Sequence, residues 1–173
     1  MKEVELRPLK LEEVVPDFTL PSVQGGRVSP RDYKQRVNLV IVYLDLDRCA
    51  GCVDLLREFA DNYHVYRDLE TEILAIFPQS TADLRSRVGD MGLPFPLLSD
   101  ENGEVARVYL GSHAGEYLVG GVFVTDRFGA LRYHKVARGE EELPAQQTIL
   151  DWLALIETEC PECGVGEPEE WSS

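Results

Sequence analysis

The run Val37-Asn38-Leu39-Val40-Ile41-Val42-Tyr43-Leu44 leads straight into Asp45-Leu46-Asp47-Arg48-Cys49-Ala50-Gly51-Cys52, and this junction decides the fold. Residues 37–44 are almost continuously apolar and rich in β-branched side chains. A strand covered on both faces reads this way, as at the centre of a parallel or mixed sheet. Beyond Cys52, the residues Val53, Leu56, Phe59, Tyr63 and Tyr66 recur at three- and four-residue spacing. They predict a long helix with a single apolar stripe. A buried strand, a loop and then a helix put the loop at the carboxyl end of the sheet, where open α/β sheets carry their sites.

Working outward, residues 17–20 followed by Gln24-Gly25-Gly26-Arg27-Val28 read as a short strand, a glycine turn and a second short strand, an N-terminal β-hairpin. Residues 72–77 form a second buried strand, stopped by Pro78, and residues 81–91 a helix with Ser80 or Thr81 as its cap and Gly92 past its end. Leu93-Pro94-Phe95-Pro96 must be extended, because each proline restricts the residue before it. Residues 105–110 read as a short helix. Residues 121–125 and 130–136 read as a hairpin turning at Asp126-Arg127-Phe128-Gly129. Pro144 opens a last helix with Ile149, Leu150, Leu153 and Ile156 on its apolar face. Alternation first and a hairpin last predict an α/β fold with a mixed central sheet and helices on both faces. Residues 1–158 are expected to form one domain, and residues 159–173 an acidic tail.

The chain has 173 residues, of which 44% are hydrophobic and 28% charged, an ordinary globular balance. Its net charge of -14 repels phosphate backbones and anionic lipid, which argues against nucleic acid and membrane surfaces as partners. The start, Met1-Lys2-Glu3-Val4-Glu5, has acids where a secretory signal carries basic and apolar regions. The longest apolar run, residues 39–44, is too short to span a bilayer. A cytoplasmic protein is expected. In a reducing compartment, four cysteines grouped as two C-x-x-C pairs point to redox or metal chemistry rather than to structural staples.

Cys49 and Cys52 stand where the helix begins, so free N–H groups and the positive end of the helix dipole favour a thiolate there. Three-residue spacing brings the sulfurs within bonding reach, so one can attack and the other resolve. Ala50 and Gly51 are small enough to admit a partner's backbone, and Arg48 adds positive charge, while Asp45 and Asp47 oppose it. The competing readings of this pair are two inert buried thiols or half of a zinc site. The second pair, Cys160-Pro161-Glu162-Cys163, can relay electrons to the first or resolve it, complete a four-thiolate metal site with it, or be an accessory tail. About 107 residues separate the pairs, against the roughly 15–20 of compact zinc modules. His64, His113 and His134 are scattered and assigned no ligand role. Gly120-Gly121 reads as a close backbone approach at the start of a strand rather than a ligand loop.

Several stretches together resemble the peroxiredoxins, the alkyl hydroperoxide reductase/thiol-specific antioxidant branch of the thioredoxin-like fold. They are Val15-Pro16-Asp17-Phe18-Thr19-Leu20, the cysteine pair after a buried strand, Phe95-Pro96-Leu97-Leu98-Ser99-Asp100 with Gly103-Glu104-Val105-Ala106, and Gly121-Val122-Phe123-Val124-Thr125-Asp126 with Gly129. The resemblance covers residues 14–157 and is most specific from Phe95 to Asp100. It implies a thiol-based oxidoreductase, with no cofactor beyond its dithiol, that reduces peroxides at the expense of a thiol donor such as a thioredoxin-type reductant. It also leaves a homodimer open, since such relatives are often dimers. In the family signature P-x-x-x-T-x-x-C, Cys52 takes the place of the peroxidatic cysteine. Cys49 then stands where the threonine belongs, and no proline opens the motif. Gly120 replaces the arginine expected before the Phe123 strand, and the thioredoxin proline is missing too. The incomplete peroxide-binding set keeps two alternatives in play: a thioredoxin-type protein disulfide reductase attacking through Cys49, and a degenerate binding protein, with or without zinc.

Overall fold

The computed structural model describes residues 9–111 and 118–159. Its seven strands are β1 (Leu20–Pro21), β2 (Arg27–Val28), β3 (Asn38–Leu44), β4 (Thr71–Phe77), β5 (Leu97–Ser99), β6 (Gly120–Thr125) and β7 (Leu131–Ala137). The α-helices are α1 (Cys52–Asp61), α2 (Tyr63–Asp68), α3 (Thr81–Val88) and α4 (Gln146–Thr158). β1 and β2 pair antiparallel, the expected N-terminal hairpin, but with only two residues in each strand. The other five make one sheet in the order β5-β4-β3-β6-β7. β3 runs parallel to β4 and antiparallel to β6, so the sheet is mixed.

Every residue of β3 is buried because both faces of the sheet are covered. Val40, Val42 and Leu44 point into a core with Leu56 and Phe59 of α1, Tyr66 of α2, Leu84 of α3 and Ile149 and Leu153 of α4. Leu39, Ile41 and Tyr43 point to the other side, against Leu74, Ile76, Phe123 and Tyr109. All four α-helices therefore pack on one face, and the opposite face is closed by a π-helical turn at Ala106–Leu110 and the N-terminal arm. Helices lie on both faces, unevenly. Each fully buried Leu, Ile or Phe contributes about 1.5–3 kcal/mol.

Parts of both sheet edges are covered as well. Val15 N–H donates to Gly129 O and Leu131 N–H to Glu13 O, so residues 12–15 cover the start of β7. At the other edge Val23 N–H donates to Leu97 O, fastening the hairpin to β5. Covered edges leave fewer unpaired backbone groups for unwanted strand pairing.

Three local expectations need correcting. The helix after Cys52 is two helices meeting at Asn62, which caps the first and opens the second; its backbone N–H and its side-chain amide both donate to Glu58 O, at 3.1 and 2.9 Å. The stripe survives because Phe59 and Tyr66 are two turns apart and both buried. The helix expected over residues 81–91 stops at Val88 and tightens into a 3-10 turn, Gly89–Met91, ended by Gly92 at φ 65°. Ser80 is its N-cap, accepting from Asp83 N–H at 3.1 Å. α4 begins at Gln146, two residues after Pro144, which lies outside the helix.

Candidate active site

β3 delivers the chain to the carboxyl edge of the sheet, and α1 starts at Cys52, so the segment from Asp45 to Gly51 forms the connection. Cys49 and Cys52 are joined there as a disulfide, with Cα atoms 5.4 Å apart. The bridge spans the first turn of α1, and Cys52 N–H points at Cys49 O at 3.5 Å. Both residues belong to the helix-side core. Cys49 is 3% exposed and Cys52 0%. In the disulfide form neither cysteine is open to solvent, and Cys49 is only marginally the less buried residue of the two. Leu56 and Phe59 anchor α1 in the core and pull its first turn, with Cys52, inward.

A polar brace that composition and spacing did not announce holds the connecting loop. Gln79, buried two residues past the end of β4, accepts from Leu46 N–H at 3.4 Å. Its amide donates to Asp45 Oδ1 at 3.0 Å and Asp47 Oδ2 at 3.2 Å. Arg87 of α3 donates to Asp47 Oδ1 at 2.6 Å and to Leu46 O at 3.2 Å. This contact, and behind it the Gln79 amide, holds the Asp47 carboxyl below the usual carboxylate range. Arg48 lies 3.6 Å from Asp45, so the local charge expected of it is shared with a carboxylate. The two aspartates that oppose a nearby thiolate are thus both engaged with cationic or amide partners.

Gly120 occupies the neighbouring strand end, paired with Leu44. A methyl group there would stand 2.0 Å from Tyr43 O, so the close approach read from Gly120-Gly121 is present. Val119, beside it, donates to Ala137 O and accepts from Asp45 N–H, which ties the site loop to β7 across the end of β6. Gly51 is small for a different reason than expected: the side chain of Glu140, from the turn Glu140–Glu142, lies on it, and a methyl group at Gly51 would stand 2.0 Å from Glu140 Oε2. The room expected for a partner's backbone is taken by a side chain of this protein. Arg48, Val119, Arg138, Gly139, Glu140 and Glu141 border an open groove of about 630 Å³ alongside.

The Phe95–Asp100 segment does structural work next to the site. Asp100, almost fully buried, accepts from Tyr43 Oη at 2.8 Å and from Val105 and Ala106 N–H, which seats the turn on the far face. Burial, with Asp100 beside it, pushes the Tyr43 phenol far up, so it remains a donor. Ser99 Oγ donates to Gln79 O at 2.7 Å and links this segment to the loop brace.

His64 and His134 are both exposed, and His134 stacks on Phe123. Among the described residues no cluster of three His, Cys, Asp or Glu is placed to hold a metal ion. Cys160, Cys163 and His113 lie outside the described residues. No described helix is long and apolar enough to cross a membrane.

A similar protein of Mycobacterium tuberculosis, provisionally named a peroxiredoxin, is 32% identical over 90 residues, 52% of this chain and 57% of its own length. The chain thus spans little more than half of that relative. Peroxiredoxin Bcp of Bacillus subtilis is 25% identical over 152 residues, covering 83% of this chain and 96% of that one. Among solved structures, peroxidoxin BcpB from Mycobacterium tuberculosis superposes with a TM-score of 0.70 at 16% identity, covering 88% of this chain and 99% of that chain, a likeness of fold. Residues 11–134, from the N-terminal arm through the cysteine pair into β7, match the AhpC/TSA family, and to that family the chain belongs.

Proposed function

We propose that this protein is a thiol-dependent peroxidase working through the Cys49/Cys52 pair. The observation that carries the reading is the bridged pair at the first turn of α1, in a chain of the AhpC/TSA family. The helix end favours an anion at Cys52. In the reduced protein the Cys52 thiolate attacks a peroxide, the O–O bond breaks, and an alcohol or water leaves as Cys52 becomes a sulfenic acid. The Cys49 thiol then condenses with it, forming the S–S bond and releasing water. Two thiols of a donor, such as a thioredoxin-type reductant, return the pair to the dithiol and leave as a disulfide. Such regeneration suits a reducing compartment like the cytoplasm. The catalytic unit is residues 1–158, with residues 159–173 as an appendage.

Because both sulfurs are buried when bridged, Cys49, Ala50 and Gly51 must move for Cys52 to meet peroxide in the dithiol form. Protein disulfide exchange through Cys49 is the second reading, favoured by Cys49 being the less buried residue of the pair. Against it, both backbone groups of Val119 at the groove are already committed, so a partner strand gains no ladder there.

The test is turnover with a dithiol donor. Peroxide consumption abolished by Cys52→Ser supports the peroxidase. Reduction of insulin disulfides abolished by Cys49→Ser, without peroxide turnover, supports the exchanger.

A further inference from the structure

Gly51 is the N-cap of α1 and offers the helix end no side-chain cap. The acceptor that approaches this end comes from 89 positions further along the chain: the Glu140 carboxylate, whose Oε2 and Cδ would stand 2.0 and 2.9 Å from a methyl group added at Gly51. That places a negative charge on the residue next to Cys52 and two positions from Cys49, at the positive pole that would otherwise favour a thiolate.

We propose that Glu140 is a positioning residue that weakens the thiolate of the Cys49/Cys52 pair and biases the pair toward the disulfide. The inference rests on the redox reading of that pair. A carboxylate near a thiol disfavours its ionised form, whereas the neutral disulfide is indifferent to it. Reduction of the bridge, S–S plus two donor thiols giving two cysteine thiols and a donor disulfide, therefore gains less from thiolate formation while Glu140 is charged.

The aspartates around the pair are each engaged. Asp45 is held by Gln79 and Arg48, and Asp47 by Gln79 and Arg87. Asp54, in the first turn of α1, pairs with Arg57 at 2.9 Å. On the Glu140 side, Glu142 accepts from Arg138 N–H, and Glu141 stands against Gly139. Arg138 lines the same groove and carries further contacts of its own. The Glu140 carboxylate is the acid that meets the C-x-x-C turn itself.

The full-length protein would be compared with Glu140→Gln, with Glu140→Ser as a second variant of different size. The rate of iodoacetamide alkylation of Cys49 and Cys52 would be followed against pH by mass spectrometry, and the dithiol fraction measured in glutathione buffers. Asp61→Asn removes the same charge from the far end of α1, about 15 Å away, and is the control. The expected result is an alkylation profile moved down by roughly one pH unit, about tenfold in thiolate below both midpoints, with a larger dithiol fraction at a given glutathione ratio, for both Glu140 variants only. Unchanged profiles, or an equal shift in Asp61→Asn, overturn the role of Glu140. A wild-type pair that glutathione never interconverts overturns the redox reading beneath it, and the inference with it.

Discussion

Gln79 Nε2 donates to Asp45 Oδ1 across 3.0 Å, joining the loop after β4 to the loop after β3. The same side chain holds Leu46 N–H and Asp47, while the Gln79 backbone carbonyl accepts from Ser99 Oγ. Replacing Gln79 by Ala leaves several of these groups unpaired at a buried site. A loss of about 1–3 kcal/mol follows, with faster proteolysis at residues 45–51. Urea denaturation measures the first and limited proteolysis the second.

The Arg87–Asp47 contact gives the site loop a pH dependence. Asp47 has a depressed pKa, chiefly through its bond to Arg87. Its contribution to stability is complete above the ordinary aspartate value, about 3.9, and is lost as pH falls through the depressed one. Asp47 is largely exposed, so the contribution is small. Denaturation midpoints of wild type and Arg87→Gln should differ at pH 5, and the gap should narrow as the carboxyl protonates, leaving the part due to the Arg87–Leu46 O bond. A gap that stays constant down to the most acid pH would contradict this.

Gly120→Ala places a methyl group 2.0 Å from the backbone of Tyr43, and backbone at the end of a central strand cannot swing aside. The expected cost is about 3 kcal/mol or more, read as a large fall in the thermal midpoint. Gly51→Ala meets only the end of the flexible Glu140 side chain and should be much milder.

Tyr43→Phe removes the phenol that donates to buried Asp100. Asp100 keeps two backbone N–H donors, so the fold survives. The loss should be about 1–3 kcal/mol, seen in chemical denaturation, while the thiol chemistry of the pair, on the opposite face of the sheet, stays intact.

Much of this arrangement is legible in the chain. Residues 37–52 specify a buried strand, a turn and a helix start because their pattern changes sharply at one point, from continuous apolar residues to helical spacing. Asn62 is less readable: asparagine costs a helix little, and the apolar stripe runs on through it without marking a junction. β5 is missed beyond the prolines because a three-residue parallel strand is defined by its partner, here Ala75 to Phe77. Gln79, Arg87 and Glu140 have no local signature. Glu140-Glu141-Glu142 reads as a solvated acidic run until folding brings its first member onto Gly51. The burial of Cys49 is likewise a consequence of tertiary packing that spacing does not encode.

The most direct test of the peroxidase reading is peptide mapping by mass spectrometry of the fully reduced chain after one equivalent of peroxide. A Cys49–Cys52 linked peptide should form in wild type, a trapped Cys52 sulfenic acid in Cys49→Ser, and neither in Cys52→Ser. Peroxide left unconsumed by wild type, or consumed with Cys49 and Cys52 still as free thiols, would contradict the account.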